Sequence, residues 1–216
     1  MKHNEDSRQC LNGTFSGGDD RIRATFNYKG EHISSVDLGL CIRQHIRAPS
    51  ELLSCVPKKF IASSVKKILP DFGNGPWGGL NLVDERFVKI IESIEPGVHQ
   101  FMKIESSVNK RGDDIHKTLY VMNILEVINA VNELKSTLTI REWHMKASSG
   151  GEGHDIRTMS PADPFKIVLY KDIVRGRALW RGTFRDISQI FISDYVMEEM
   201  AKVGLWGPQF QRVDVE

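Results

Sequence analysis

The sequence predicts an α+β fold, with a mainly antiparallel, twisted sheet braced by a few short helices. Three observations lead to this prediction. Segments that alternate apolar and polar residues outnumber segments with helical periodicity, and the two kinds follow one another irregularly. One strand-helix-strand pattern also occurs twice. A steady alternation of strands and helices would have indicated a parallel sheet instead.

The repeated pattern spans residues 80–101 and 190–210. Each copy reads as an apolar strand end, an Asp at the entry to an apolar-periodic helix, a Gly stop and a return that ends in Phe. Asp84 and Asp194 are predicted to cap the two helices, because a short acceptor side chain can take hydrogen bonds from the first helical turn. The copies differ in length, so duplication is not established, but we expect both helices to brace the same sheet.

Ahead of the first copy, the sequence predicts an arm, a strand, two helices and a loop. Residues 1–20 are polar and contain several Gly, and they predict a flexible arm. The alternation in residues 21–28 predicts a strand. Residues 36–47 and 57–69 carry apolar residues at near-helical spacing, which predicts two helices, the second of them amphipathic. The Gly and Pro residues of 70–79 predict a loop.

After the first copy begins, short strands dominate the prediction. The apolar run of residues 118–128 predicts a buried central strand, and residues 137–143 alternate as another. Residues 147–163 are polar and rich in Gly, which predicts a long, mobile loop. The remaining predicted strands lie at residues 98–105, 165–170, 178–180, 189–192 and 210–213.

Length and charge limit the kinds of partner. With 216 residues, 40% of them hydrophobic, the chain can bury a substantial core, and we expect one domain over residues 21–216 with sub-lobes of about 21–136 and 137–216. The 29 Lys and Arg against 28 Asp and Glu leave a net charge of +1, without the basic field that nucleic acid binding uses. The sequence shows no signal peptide, no membrane-length apolar run and no disulfide pattern among its three cysteines. We therefore expect a cytoplasmic protein without a nucleic acid or membrane partner.

The strongest hint of catalysis lies around the second long loop. His144, His154 and Asp155 are residue types that metal-assisted hydrolysis uses. Their spacing matches no metal-ligand signature, and solvated loop histidines are the commoner occurrence. A hydrolase using these three residues is nevertheless the alternative to a binding function.

Other motifs point away from a cofactor. Cys41 and His45 would share one face of a helix and could hold a metal together with Cys55, but buried thiols more often act as small apolar side chains. The two Gly-rich stretches lack the endings that bind phosphate or a dinucleotide, and no serine lies in a GxSxG turn. The sequence thus predicts no bound cofactor.

The tryptophans are candidate anchors, because aromatic side chains dominate both cores and protein interfaces. Trp180 lies in a predicted strand and is expected in the core. Trp77 lies in a Gly/Pro loop and Trp206 follows a helix stop. We expect at least one of this pair to be exposed at an interface.

Several patterned positions carry a resemblance to a known family. They are Leu82 with Asp84, Tyr120, Asn132 with Ser136, the pair Trp180 and Arg181, and Gly207 to Phe210. From about residue 69 to 213 the chain resembles the immunity-protein family of bacterial polymorphic toxin systems, typified by a myxobacterial protein and catalogued as immunity eleven. The family often has Ser at the first helix entry, where this chain has Val83. The resemblance carries no catalytic signature.

The resemblance implies a protein without enzymatic activity that binds and neutralises a toxin domain encoded by the same or a neighbouring gene. A chain with an ample core and loops of mixed charge that carry Trp suits such a binder. The candidate toxin-binding residues are Asn74, Trp77, Trp143, His144, Glu152, His154, Asp155, Arg157 and Trp206. A homodimer formed through Trp206 and the last strand is a further alternative.

Overall fold

A computed structural model describes residues 13–16, 24–28, 31–36, 38–62, 71–74, 81–145, 154–182, 190–206 and 210–216. The chain forms two compact units. The first comprises Met1–Glu126 and Ile192–Phe210, and the second comprises Val127–Phe191 and Gln211–Glu216. The chain therefore passes between the units three times, whereas the predicted sub-lobes share a single boundary.

Short strands and a few helices make up both units. The elements of the first unit are β1 (Gly13–Ser16), β2 (Ala24–Tyr28), β3 (Glu31–Val36), α1 (Leu38–Arg43), a 3-10 helix (Ser50–Cys55), β4 (Lys59–Ala62), β5 (Phe72–Asn74), β6 (Asn81–Asp84), α2 (Glu85–Ile94), β7 (Gln100–Lys103), β8 (Ser106–Val108), β9 (Leu119–Asn123) and, later in the chain, α4 (Asp194–Lys202). Those of the second unit are β10 (Val127–Ile128), β11 (Thr137–Met145), β12 (His154–Lys166), β13 (Val168–Leu169), α3 (Lys171–Val174), β14 (Leu179–Gly182), β15 (Ile190–Ile192, whose last residue begins the return to the first unit) and β16 (Asp214–Val215).

The sheets are mostly antiparallel, which confirms the predicted α+β class. In the first unit, a four-stranded sheet with the order β5-β6-β9-β7 is antiparallel throughout. β4 pairs with β1 in antiparallel and with β8 in parallel orientation, and β2 pairs with β3. In the second unit, β11 and β12 form an antiparallel pair, while β10 with β14 and β13 with β16 are parallel.

Each unit has its own apolar core. In the first unit, the fully buried side chains of Leu82 on β6 and Val121 on β9 are register partners, and Phe60 of β4 lies in the same cluster. In the second unit, Trp180 of β14 stacks on Phe191 of β15, with ring centroids 5.6 Å apart and an interplanar angle of 10°. The prediction that Trp180 lies in the core is confirmed.

Helix α2 begins where the sequence predicts it. Asp84 has an extended backbone (φ −73°, ψ 153°), and its side chain accepts a hydrogen bond from the Arg86 N–H at 2.8 Å, so it is the N-cap. The helix buries one apolar face, made of Phe87, Ile90 and Ile91. The ring of Phe87 meets that of Phe72 on β5 edge to face at 5.1 Å, which seats α2 against the four-stranded sheet.

Helix α4 has a different cap from the predicted one. Ser193 has the extended backbone of an N-cap (φ −72°, ψ 157°), and its hydroxyl accepts from the Val196 N–H at 3.3 Å. Asp194 is the first residue inside the helix, so the prediction that it caps α4 is wrong. The hydroxyl of Ser193 already occupies the cap, and Asp194 instead places a negative charge in the first turn, which the helix dipole favours. Gly204 ends the helix with a left-handed backbone (φ +66°), as predicted.

Two predicted segments of the first unit have another local structure. Residues 57–69 are predicted as a helix, but β4 lies within them, with alternating burial in which Phe60 and Ala62 point inwards. β4 pairs with strands on both sides, and these long-range pairings outweigh its near-helical spacing. The loop predicted over residues 70–79 contains β5, which pairs with β6. Residues 63–70 and 75–80 lie outside the described residues.

Pairing also decides the local structure elsewhere. The loop predicted over residues 147–163 is wrong from His154 onwards, because β12 pairs there with β11. The last strand is β16, whereas residues 210–213 form none. β1 lies within the segment predicted as a flexible arm, since it pairs with β4.

The strands of the two copies of the repeated pattern lie in different sheets, and the bracing of one sheet by both helices stays a prediction. The strand of the first copy, β6, lies in the four-stranded sheet, whereas β15 lies in a sheet with the order β10-β14-β15. The two helices, α2 and α4, pack against each other within the first unit. The copies therefore share a local pattern but not a common sheet.

No helix within the described residues combines the length and apolar character that crossing a bilayer needs.

Candidate functional site

Three strands of the four-stranded sheet place polar side chains at one edge. Because β5 and β9 both run antiparallel to β6, the starts of β5 and β9 lie beside the end of β6. Asp71 comes directly before β5, Asp84 is the last residue of β6, and Lys117 comes shortly before β9. These three side chains therefore meet at the floor of a cleft in the first unit.

Asp71 is the centre of the hydrogen bonding in this cleft, and it is only 2% exposed. Its Oδ1 accepts from Lys117 Nζ at 2.6 Å and from a guanidinium nitrogen of Arg86 at 2.7 Å. Its Oδ2 accepts from the Trp206 N–H at 2.8 Å, and its own N–H donates to the Trp206 carbonyl at 2.8 Å. The Asp71 carbonyl accepts from the Asp84 N–H at 2.7 Å. Asp71 thus connects β5, β6, the start of β9 and the chain that follows α4.

Arg86 closes the cluster from the first turn of α2. Its Nε donates to Asp84 Oδ1 at 2.9 Å, and its Nη1 donates to the Val203 carbonyl at 3.1 Å, just beyond the end of α4. The hydrogen bond to Asp84 raises the pKa of Arg86 above its ordinary value, and the negative charges of Asp84 and Asp71 raise it further against the effect of partial burial. The guanidinium therefore stays charged while its side chain is 44% exposed.

The charges that line the cleft compensate one another. Asp71 and Asp84 are buried, and they face the cations of Arg86 and Lys117 within 4.0 Å. Glu85 pairs with Lys89 one turn along α2 at 3.0 Å. Nδ1 of His116 lies 3.7 Å from a carboxylate oxygen of Asp114. The negative charge of Asp114 would compensate the positive charge of a protonated His116. The cleft therefore contains many charged side chains but presents little net charge to a binding partner.

Trp206 and His116 border the cavity, which has a volume of about 560 Å³. Trp206 is 44% exposed although both of its backbone polar groups are hydrogen-bonded to Asp71. His116 has a left-handed backbone (φ +55°), which costs a non-Gly residue about 1 kcal/mol, and its N–H donates to Asp114 Oδ1 at 2.6 Å. Both rim residues are therefore held by specific backbone hydrogen bonds.

This arrangement favours binding over proton transfer. Among the described residues, the Asp71 carboxylate accepts from three donors, two of them cationic, so both of its oxygens are already engaged. Within the described ranges, no three His, Cys, Asp or Glu side chains are placed to hold a metal ion, and Cys41 and Cys55 are buried. A half-exposed indole beside a half-exposed guanidinium is instead typical of the energetic centres of protein interfaces.

Of the predicted toxin-binding residues, Trp206 lines the cleft. Trp77 and Glu152 lie outside the described residues. For the others the description covers the backbone alone, with Asn74 in β5, Trp143 and His144 in β11, and His154, Asp155 and Arg157 in β12. Their part in binding stays a prediction.

For the hydrolase hypothesis, the relevant observation is which residues of β11 and β12 pair with each other. The backbone of His144 pairs with that of Asp155, and Met145 pairs with His154. The three hypothetical hydrolase residues are therefore near one another along one ladder. Whether their side chains converge lies outside the described part of the structure.

Sequence reasoning missed Asp71, Arg86 and Lys117. Asp71 follows Pro70 in a segment whose Gly and Pro residues indicate a loop, and Arg86 looks like an ordinary first-turn residue. No local pattern joins them, because Asp71 and Trp206 are 135 residues apart in the chain. A buried carboxylate of this kind becomes recognisable only when the strand pairing is known.

The second unit contains an arginine with different surroundings. Arg181 of β14 is 8% exposed, and its Nε has no hydrogen-bond acceptor in the part of the chain that the structure describes. Burial lowers the pKa of Arg181 below its ordinary value. The indole N–H of the adjacent Trp180 likewise lacks an acceptor among the described residues.

Comparison with known families finds one match. A family model described as the immunity protein family Imm11 matches residues 54–215. The matched region covers most of the chain, begins earlier than the resemblance seen in the sequence, and contains every residue that lines the cleft. No curated protein matches the chain.

Proposed function

Because the chain belongs to the immunity protein family Imm11, we propose that it neutralises a cognate bacterial toxin by binding the toxin domain directly. The proposed partner is a toxin or effector domain encoded by the same or a neighbouring gene. The protein acts in the cytoplasm as a stoichiometric binder and performs no chemistry of its own.

Family membership is the observation that carries this proposal, and the cleft of the first unit supports it. The buried carboxylate of Asp71 is engaged by three donors and therefore serves to organise the structure. What the cleft offers to a partner is a half-exposed Trp and a half-exposed Arg on a fixed frame. Rigid aromatic and Arg side chains contribute most of the binding energy in many protein interfaces.

Co-expression tests the proposed function. Each toxin domain encoded beside the gene for this chain is induced in a bacterial host, with and without the chain, and growth is measured. We expect the cognate toxin to stop growth alone and the chain to restore it. An active-site variant of the same toxin, which should be harmless, controls for the burden of expression.

Two further controls make the result specific. A toxin from an unrelated family should still kill in the presence of the chain. The chain should also co-purify with the inactive toxin variant in a fixed ratio. Persistent killing by every neighbouring candidate, together with no co-purification, would overturn the proposed function.

A further inference from the structure

We propose that the Trp206 cleft, the cavity bordered by Trp206, His116 and Arg86, is the docking site for the toxin and takes an uncharged, apolar side chain from a toxin loop. This inference rests on the proposed function and specifies its contact surface. It follows from how Trp206 is held, from the compensation of charge in the cleft and from the size of the cavity.

Trp206 is pre-organised for contact. Its N–H and carbonyl are both bonded to Asp71, a residue that two cations hold in place. Trp206 is 44% exposed, so the fold fixes the backbone of this residue while leaving apolar surface in water. An anchor that is rigid before binding loses little conformational entropy on binding, and this increases the affinity that each contact yields.

The electrostatics select the occupant. A guanidinium carries five N–H donors, and within the described part of the chain Arg86 makes four contacts, to Asp84 twice, to Asp71 and to the Val203 carbonyl. Lys117 is only 14% exposed and is bound to Asp71. A charged side chain entering the cleft would have to compete with ion pairs that are already formed. An uncharged side chain displaces water from Trp206 without disturbing them.

The dimensions agree with a docked side chain. A volume of about 560 Å³ lies within the range of about 300–1,000 Å³ that is usual for ligand pockets. A cavity of this size accepts a large side chain together with some of its flanking backbone.

Calorimetric titration with the inactive form of the toxin rescued in co-expression tests the docking site. We expect Trp206→Ala to weaken binding by about thirtyfold or more, the effect of losing a central aromatic anchor. Tyr195→Ala is the matched control, because Tyr195 is a 55% exposed aromatic residue on α4 outside the cleft, and we expect it to bind as the wild type does. The wild-type Kd should change by less than about threefold between low and high salt, because the occupant is uncharged.

A second measurement uses the unmodified chain and does not depend on how the variants fold. Oxidative footprinting read by mass spectrometry should label Trp206 in the free chain and show protection in the toxin complex. Unchanged binding by Trp206→Ala, unprotected Trp206 in the complex, or a Kd that rises tenfold or more with salt would overturn the docking site. If Trp206 is protected in the chain alone as concentration rises, a second copy of the chain occupies the cleft, and the inference is wrong.

Different results would contradict the proposed function and the docking site. A wild-type chain that neither rescues growth nor binds the toxin contradicts the proposed function. A wild-type chain that rescues and binds, while Trp206→Ala does so equally well, contradicts the docking site alone.

Discussion

Arg86 in the first unit is 44% exposed and contacts two buried carboxylates, whereas Arg181 in the second unit is 8% exposed and its Nε has no acceptor among the described residues. Their surroundings move the pKa in opposite directions. The hydrogen bond to Asp84 raises the pKa of Arg86, and burial lowers that of Arg181. The same residue type is thus stabilised in its charged form in one unit and destabilised in the other.

The comparison shows that burial alone does not reveal what an arginine contributes. Arg86 joins the start of α2 to the sheet and to the chain after α4, so its charge organises the cleft. Burial of Arg181 carries a desolvation cost, and no charge partner among the described residues offsets this cost. Replacing each with an apolar side chain should therefore have different consequences.

The largest effect is expected at Asp71, on which the arrangement around Arg86 depends. Asp71→Ala removes the acceptor of the Trp206 N–H and takes one carboxylate partner from each of Lys117 and Arg86. Breaking a buried ion pair from one side typically destabilises a protein by about 3–5 kcal/mol, and we expect a loss of about 3 kcal/mol because Arg86 keeps Asp84. Urea denaturation followed by circular dichroism measures it.

Glu198→Ala serves as the control for the Asp71 variant. Glu198 is an exposed acidic residue on α4, and surface substitutions of this kind usually change stability by less than about 0.5 kcal/mol. An Asp71 variant no less stable than the Glu198 variant would show that the cluster does not hold the first unit together.

A matched pair of arginine substitutions tests the comparison directly. We expect Arg86→Met to destabilise the chain by about 1 kcal/mol, a value reduced by the partial exposure of the side chain, because it leaves Asp84 with fewer donors. Arg181→Met, in contrast, should be neutral or stabilising by up to about 1 kcal/mol, because methionine fills similar space without a charge to desolvate. Thermal and urea unfolding of both variants provide the measurement. If Arg181→Met lost as much stability as Arg86→Met, Arg181 would have to have a partner that stabilises its charge equally well.

The smallest effect is expected at the start of α4, the helix that leads to Trp206. Ser193→Ala removes the hydroxyl that accepts from the Val196 N–H and should cost about 1 kcal/mol or slightly less. Asp194→Ala removes a favourable charge in the first turn and should cost less, about 0.3–0.5 kcal/mol. The reverse order in unfolding experiments would return the capping role to Asp194.

Local sequence patterns were sufficient for several elements of the fold. The Asp84 cap, the apolar face of α2 and the glycine that ends α4 each depend on residues within a few positions of one another. The central strand β9 was predictable from its apolar run. The family resemblance also followed from patterned positions that can be recognised in the sequence alone.

Other features depended on partners distant in the chain. Residues 59–62 form a strand because β1 and β8 lie on either side, although their own spacing also fits a helix. Ser193 was overlooked as a cap because an adjacent Asp is an equally good candidate by sequence. Of the residues at the candidate site, Trp206 was predicted as a binding residue through its place after a helix stop, and Asp84 was predicted as a helix cap.

The sequence by itself determined the α+β class, the helix starts and stops that use local hydrogen bonds, and membership of the immunity protein family. Only the tertiary structure decided that Asp71 lies beside Trp206 and that both line a cleft of the first unit. It also decided that Arg86 is ion-paired, whereas the Nε of Arg181 has no acceptor among the described residues. The physical reason is range. Caps and periodicity act over one or two helical turns, whereas a buried ion pair needs the pairing of strands to bring together residues that are far apart in the chain.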